Sequence, residues 1–167
     1  VAARYLGDVA AGEKALSALA VFIEASIESD GSYGEGNGYF SYPISSLQPA
    51  ILCMDAGTRA KVFDASGLRD AARWQVYPYF YQVNESGKLD PALAHFGDNG
   101  SSLLPSPSVL ATLISVYQDP QAAWLLARFE RPLGLKDRLL VLSAARATPK
   151  PVSPEEVGLP LMRAFSN

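Results

Sequence analysis

Sulfur and imidazole are nearly missing from this chain. Among its 167 residues there is one cysteine, Cys53, and one histidine, His95. A lone cysteine excludes an intrachain disulfide and a cysteine-built metal cluster. A lone histidine excludes a histidine-rich metal site, and no metal ligands are put forward. Positive charge is also short: 14 Lys and Arg stand against 17 Asp and Glu, a net charge of −3. That balance lacks the basic excess that draws nucleic acid. It also works mildly against a polyanionic substrate, although a local basic patch overrides net charge. Long apolar runs are absent too. The most apolar stretch, residues 15–27, is broken by Ser17, Glu24 and Ser26, too short and too amphipathic to cross a bilayer. No signal-peptide pattern opens the chain.

What is present belongs to a globular domain. Hydrophobic residues make up 49% and charged residues 19%, and the length suffices for a sizeable core. Asp8 is placed to cap a helix over residues 9–27, where Leu16, Leu19, Ala20, Ile23 and Ile27 recur at helical spacing. The glycine-rich stretch 30–38 reads as a loop. A second helix is expected over residues 39–54, with Pro43 in its first turn, Pro49 as a kink or break, and Gly57 as a stop. A third is expected over 68–83, capped by Asp64 or Ser66 and bent at Pro78. Residues 84–107 read as one long loop, of a kind that is often functional. A helix pair comes next over 108–117 and 120–129, its second member opened by Asp119-Pro120, and then a short helix over 137–145. The expected fold is all-α, built of antiparallel helix hairpins.

The chemistry concentrates in Asp30-Gly31-Ser32-Tyr33-Gly34-Glu35-Gly36-Asn37-Gly38-Tyr39-Phe40-Ser41-Tyr42. Glycines let backbone approach a ligand or take positive φ. Tyr33, Glu35, Asn37, Tyr39 and Tyr42 supply hydrogen-bonding groups and flat rings. Tyr39 and Tyr42 fall on one helical face, one turn apart. A phenol near a helix start meets the positive end of the dipole. Packing tyrosines with satisfied hydroxyls are the structural alternative.

This segment resembles the corresponding motif of the heparinase II/III-like polysaccharide lyases: Asp30-Gly31, then Glu35-Gly36, then Tyr39 and Tyr42. Phe96-Gly97-Asp98 is similar to a further element of that family. Residues 161–165, Leu-Met-Arg-Ala-Phe, resemble the point where such chains enter a β-sandwich domain. The resemblance implies part of an α/α toroid over residues 1–147, a proline-rich linker over 148–160, and the start of a truncated β domain over 161–167. It implies β-elimination on a uronic-acid-containing polysaccharide, alginate or a glycosaminoglycan, without a cofactor, in the periplasm or outside the cell. Tyr42 is then the matching catalytic residue, with Tyr39 the second match. Tyrosine suits the role because its pKa near 10 lets it donate a proton. Tyr33, Glu35, Asn37, His95 and Asp98 become substrate-contacting candidates. The family also uses an Asn, or an Asn-His pair, in a preceding helix; residues 9–27 contain neither.

Two other functions stay open. Glu35 and Asp98 are a candidate carboxylate pair for glycoside hydrolysis, and the aromatic residues alone would serve a non-catalytic carbohydrate-binding piece. Arg69 and Arg73, spaced i, i+4, are candidates for uronate carboxylates, with Asp70 as an ordinary ion-pair partner. Trp74, Tyr77 and Tyr81 are expected on one helical face. Trp124 and Cys53 are expected in the core. Helix faces left uncovered in a partial toroid predict self-association.

Overall fold

The structure is a computed structural model. It describes residues 2–63, 67–77, 79–93, 106–128, 133–144 and 149–160. The fold is predominantly helical. In chain order it comprises α1 (Ala2–Leu6), α2 (Val9–Ser26), α3 (Gly36–Cys53), α4 (Ala56–Phe63), a 3-10 turn (Gly67–Asp70), α5 (Ala71–Val76), β1 (Tyr79–Val83), β2 (Leu89–Leu93), α6 (Pro107–Tyr117), α7 (Pro120–Leu126) and α8 (Leu135–Ala144).

Capping chemistry sets several boundaries. Asp8 accepts a hydrogen bond from the Ala11 N–H at 3.0 Å and opens α2. Asp119 accepts from the N–H groups of Gln121 and Ala122 and opens α7, with Pro120 at the first helical position, where its missing N–H costs nothing. Asp55 accepts from the Thr58 N–H at 2.9 Å and opens α4. The sequence pattern does not predict that last helix: Gly57 lies inside it rather than ending its predecessor. The predecessor, α3, runs unbroken through Pro43 and Pro49. Pro43 is thus not in a first turn. The helix starts earlier than the apolar pattern predicts because Gly36 takes φ +86°, a turn into the helix that suits a residue without a Cβ.

The third expected helix is also corrected. Only residues 71–76 form an α-helix there, after the 3-10 turn. Tyr79 to Val83 is instead a strand, paired antiparallel with Leu89 to Leu93, Tyr79 opposite Leu93 and Val83 opposite Leu89. Tyr81 therefore shares no helical face with Tyr77. The cause is local. Asn84 Oδ1 accepts from the Ser86 N–H, the Ser86 hydroxyl and the Lys88 N–H, and Gly87 takes φ +76°. Asn-x-x-Gly is hairpin-turn chemistry, and the aromatic run before it favours a strand. The expected loop thus begins with a hairpin; residues 94–105 lie outside the described residues.

One hydrophobic core joins the elements. Phe40, Ile44, Leu47 and Ile51 of α3 meet Val109, Leu110, Leu113 and Ile114 of α6, with Ile23, Phe63, Leu68, Trp74 and Leu125 around them. Helix α6 is the centre, packed on α3, α7 and α8. The polar Gln48 crosses this core: its Nε2 donates to the Ser108 carbonyl at 3.0 Å and to Asp137 Oδ1 at 2.9 Å. Residues 149–160 do not hang free, since the Val152 N–H donates to the Pro120 carbonyl. No helix among the described residues is long and apolar enough to cross a membrane.

Candidate functional site

The turn before α3 is tied down by side-chain and backbone hydrogen bonds. Asp30 Oδ1 accepts from the Ser32 N–H at 3.1 Å and the Ser32 hydroxyl at 2.7 Å. The Glu28 N–H donates to the Ser32 carbonyl, and the Gly31 N–H to the Glu28 carbonyl. Gly31 has φ +86°, and a Cβ there would sit 2.6 Å from the Asp70 carbonyl oxygen. Reciprocally, a Cβ on Gly67 would land on the Glu28 carbonyl. The two turns interlock through two missing side chains. Asp30 and Gly31 therefore act in building the turn.

Aromatic rings anchor the segment between this turn and α3. Tyr33 lies 5.6 Å from Phe40, ring centroid to centroid, and Phe40 meets Trp74 edge-on at 5.4 Å. Phe40 and Trp74 are buried, so this aromatic row clamps the loop to α3 and α5. The Tyr33 hydroxyl donates to Glu35 Oε2 at 3.0 Å. Burial, this hydrogen bond and the Glu35 charge, in that order, hold the Tyr33 phenol above its ordinary pKa.

Tyr39 and Tyr42 point the other way. Their rings lie 5.9 Å apart, tilted by 48°, and are 44% and 69% exposed. Two phenols thus stand side by side on solvent, within two turns of the N-terminus of α3. The Tyr42 carbonyl is held by the hydroxyls of Ser45 and Ser46. Asn37 lies in the first turn of α3. His95 and Asp98 lie outside the described residues, as do residues 161–165, so no distance is defined for the Glu35–Asp98 pair.

The remaining candidates are engaged in structure. Arg73 forms an ion pair with Asp70 at 2.9 Å. The Arg69 guanidinium lies 4.8 Å from the centroid of the Tyr117 ring, whose hydroxyl donates to the Phe63 carbonyl. Asp119 nearby has its pKa raised, because burial outweighs its two backbone hydrogen bonds and the Arg73 charge. Trp124 is half-buried rather than core, its exposed side covered by the Arg128 guanidinium at 3.6 Å. Cys53 is likewise half-buried. Among the described residues, no group of three His, Cys, Asp or Glu could hold a metal ion.

Sequence reasoning missed a cleft of about 580 Å³ where α1, α2, α3 and α4 meet. Leu16, Leu19, Ala50, Cys53 and Met54 line it, with Asp8, Glu13 and Asp55 at its edges. It sits toward the other end of α3 from the tyrosines, roughly 12–21 Å along the axis at 1.5 Å per residue. The signal was the run of small residues Ala3, Gly7, Gly12 and Ala15, which leave room between helices. Comparisons of the chain with models of protein families, with curated proteins and with solved structures returned no match.

Proposed function

We propose that this chain carries the tyrosine-bearing part of a polysaccharide lyase acting on uronic-acid polymers, with Tyr42 as the proton-transferring residue. The supporting observation is the exposed pair Tyr39 and Tyr42, adjacent on α3 behind an interlocked glycine turn. Packing does not account for a ring that is 69% exposed. In the proposed step the ionised Tyr42 phenol takes the C5 proton of the uronate and later returns it to the leaving oxygen, so the tyrosine is regenerated. The C5 electron pair forms the C4–C5 double bond, the C4–O bond breaks, and the leaving oxygen takes a proton from the Tyr42 hydroxyl. Tyr39 stands beside the sugar, and Glu35, bound to Tyr33, holds the loop. The helices belong, on this reading, to an α/α toroid of a periplasmic or secreted protein. Neutralising the uronate carboxylate calls for further groups, since α2 has neither Asn nor His.

The test is absorbance of unsaturated uronates with alginate, heparin, heparan sulfate, chondroitin and hyaluronan in parallel. Elimination is expected on one of them, and Tyr42→Phe is expected to lower the rate by roughly 10²–10⁴-fold, the usual worth of general acid–base catalysis. A second reading draws on the same exposure: the tyrosine pair as a sugar-stacking surface without chemistry. It is favoured if absorbance stays flat on every polymer while binding is present and Tyr42→Ala abolishes it. Neither elimination nor binding would reject both.

A further inference from the structure

Two exposed apolar surfaces lie on different elements of the fold. On α8, Leu135, Leu139 and Leu142 are 75%, 49% and 71% exposed. Their spacing, i, i+4, i+7, makes one stripe, on the side of the helix away from the buried Asp137. Arg138 stands exposed beside it. Leucines so arranged are ordinarily covered. The cleft between α1, α2, α3 and α4 is concave, apolar and open, with Asp8, Glu13 and Asp55 at its edges and no basic side chain among its described lining residues. Val9 at its mouth is 72% exposed.

We infer that the α8 leucine stripe of one copy docks into the α1–α4 cleft of a second copy, a head-to-tail self-association. Shape and charge both favour this occupant. A convex leucine ridge meets an apolar hollow, and Arg138 meets three carboxylates. The two surfaces lie on different elements, so the contact is heterologous, and copies add in series unless a ring closes. The inference does not depend on the chemistry proposed for Tyr42.

The experiment uses the full chain in sedimentation equilibrium over a hundredfold range of concentration, with two variants. Leu139→Glu places a charge in the exposed stripe. Gly12→Arg fills the cleft from α2, where an added Cβ meets only the Ala3 Cβ at 4.0 Å; replacing a mid-helix glycine also favours the helix. Unchanged helical circular dichroism shows that both fold. The wild type is expected to exceed monomer mass increasingly with concentration, less so at high salt. Each variant alone is expected to stay monomeric. Their mixture is expected to form one dimer, because Gly12→Arg keeps an intact stripe and Leu139→Glu an intact cleft. A wild type monomeric throughout overturns the inference. So does association that survives either variant, or a mixture that stays monomeric. An unrelated occupant of either face would give one of those results.

Discussion

At the scale of single residues, the glycines of residues 30–38 do different work. Gly31 is held at positive φ against the Asp70 backbone, whereas a Cβ on Gly34 would meet nothing within 4 Å. Gly31→Ala is therefore expected to cost ~1–3 kcal/mol from backbone strain alone, with the steric overlap added. Gly34→Ala is expected to be neutral or to stabilise by up to about 1 kcal/mol, through the unfolded state. Urea midpoints of the two variants check this; equal midpoints would contradict the interlock. Tyr33 gives a second test. Its proton is favoured by burial and by Glu35, so the folded state holds that proton at a pH where the unfolded chain, with an ordinary pKa of about 10, has lost it. The resulting stability is present below about pH 10 and is lost as pH rises through the folded-state pKa. Glu35→Gln is expected to bring the Tyr33 titration down toward the ordinary value and to flatten the alkaline loss of stability. Tyrosinate absorbance and alkaline urea unfolding read the two effects. An unmoved titration would mean that the Tyr33–Glu35 bond does not persist in solution.

At the scale of elements, Gln48 is the bolt between α3, α6 and α8. Both its partners are acceptors, the Ser108 carbonyl and the Asp137 carboxylate, and Asp137 is 6% exposed. Gln48→Leu leaves a buried carboxylate without this donor and is expected to cost about 2–3 kcal/mol. Joining it to Asp137→Leu is expected to return part of that loss, since an apolar pair leaves no buried charge unsatisfied. Urea unfolding of both singles and the double measures the coupling; strict additivity would show that the two side chains do not depend on each other. The same scale explains the corrected elements. Residues 68–83 combine a helical apolar period with an aromatic run, and the Asn84–Gly87 turn resolves the conflict by pairing the second half with Leu89 to Leu93.

At the scale of the whole molecule, the core of the described residues is centred on α6 and covers one side of α2 and of α8. Val21 and Phe22 of α2 are exposed, as are the three α8 leucines. The tyrosines and the apolar cleft lie toward opposite ends of α3, so the proposed sugar-binding surface and the inferred self-association surface can coexist without competing. Loss of one by mutation is expected to leave the other intact.

Much of this was legible along the chain. The predominantly helical class, the caps at Asp8 and Asp119, the α6–α7 pair, the short α8 and the shared face of Tyr39 and Tyr42 come from local rules: side-chain oxygens capping nearby N–H groups, apolar residues recurring every three to four positions, and 3.6 residues per turn. Helix α4, the hairpin and the early start of α3 carried local signals in Asp55, Asn84 and Gly36, but competing patterns were stronger. Other features had no local signal. That Tyr42 faces solvent while Phe40 is buried, that Gly31 sits against the Asp70 backbone and Gly67 against the Glu28 backbone, and that Gln48 reaches Asp137 depend on residues tens of positions apart. Sequence periodicity determined which residues share a face; only tertiary packing decided which face is covered, because burial depends on what the rest of the chain brings against it.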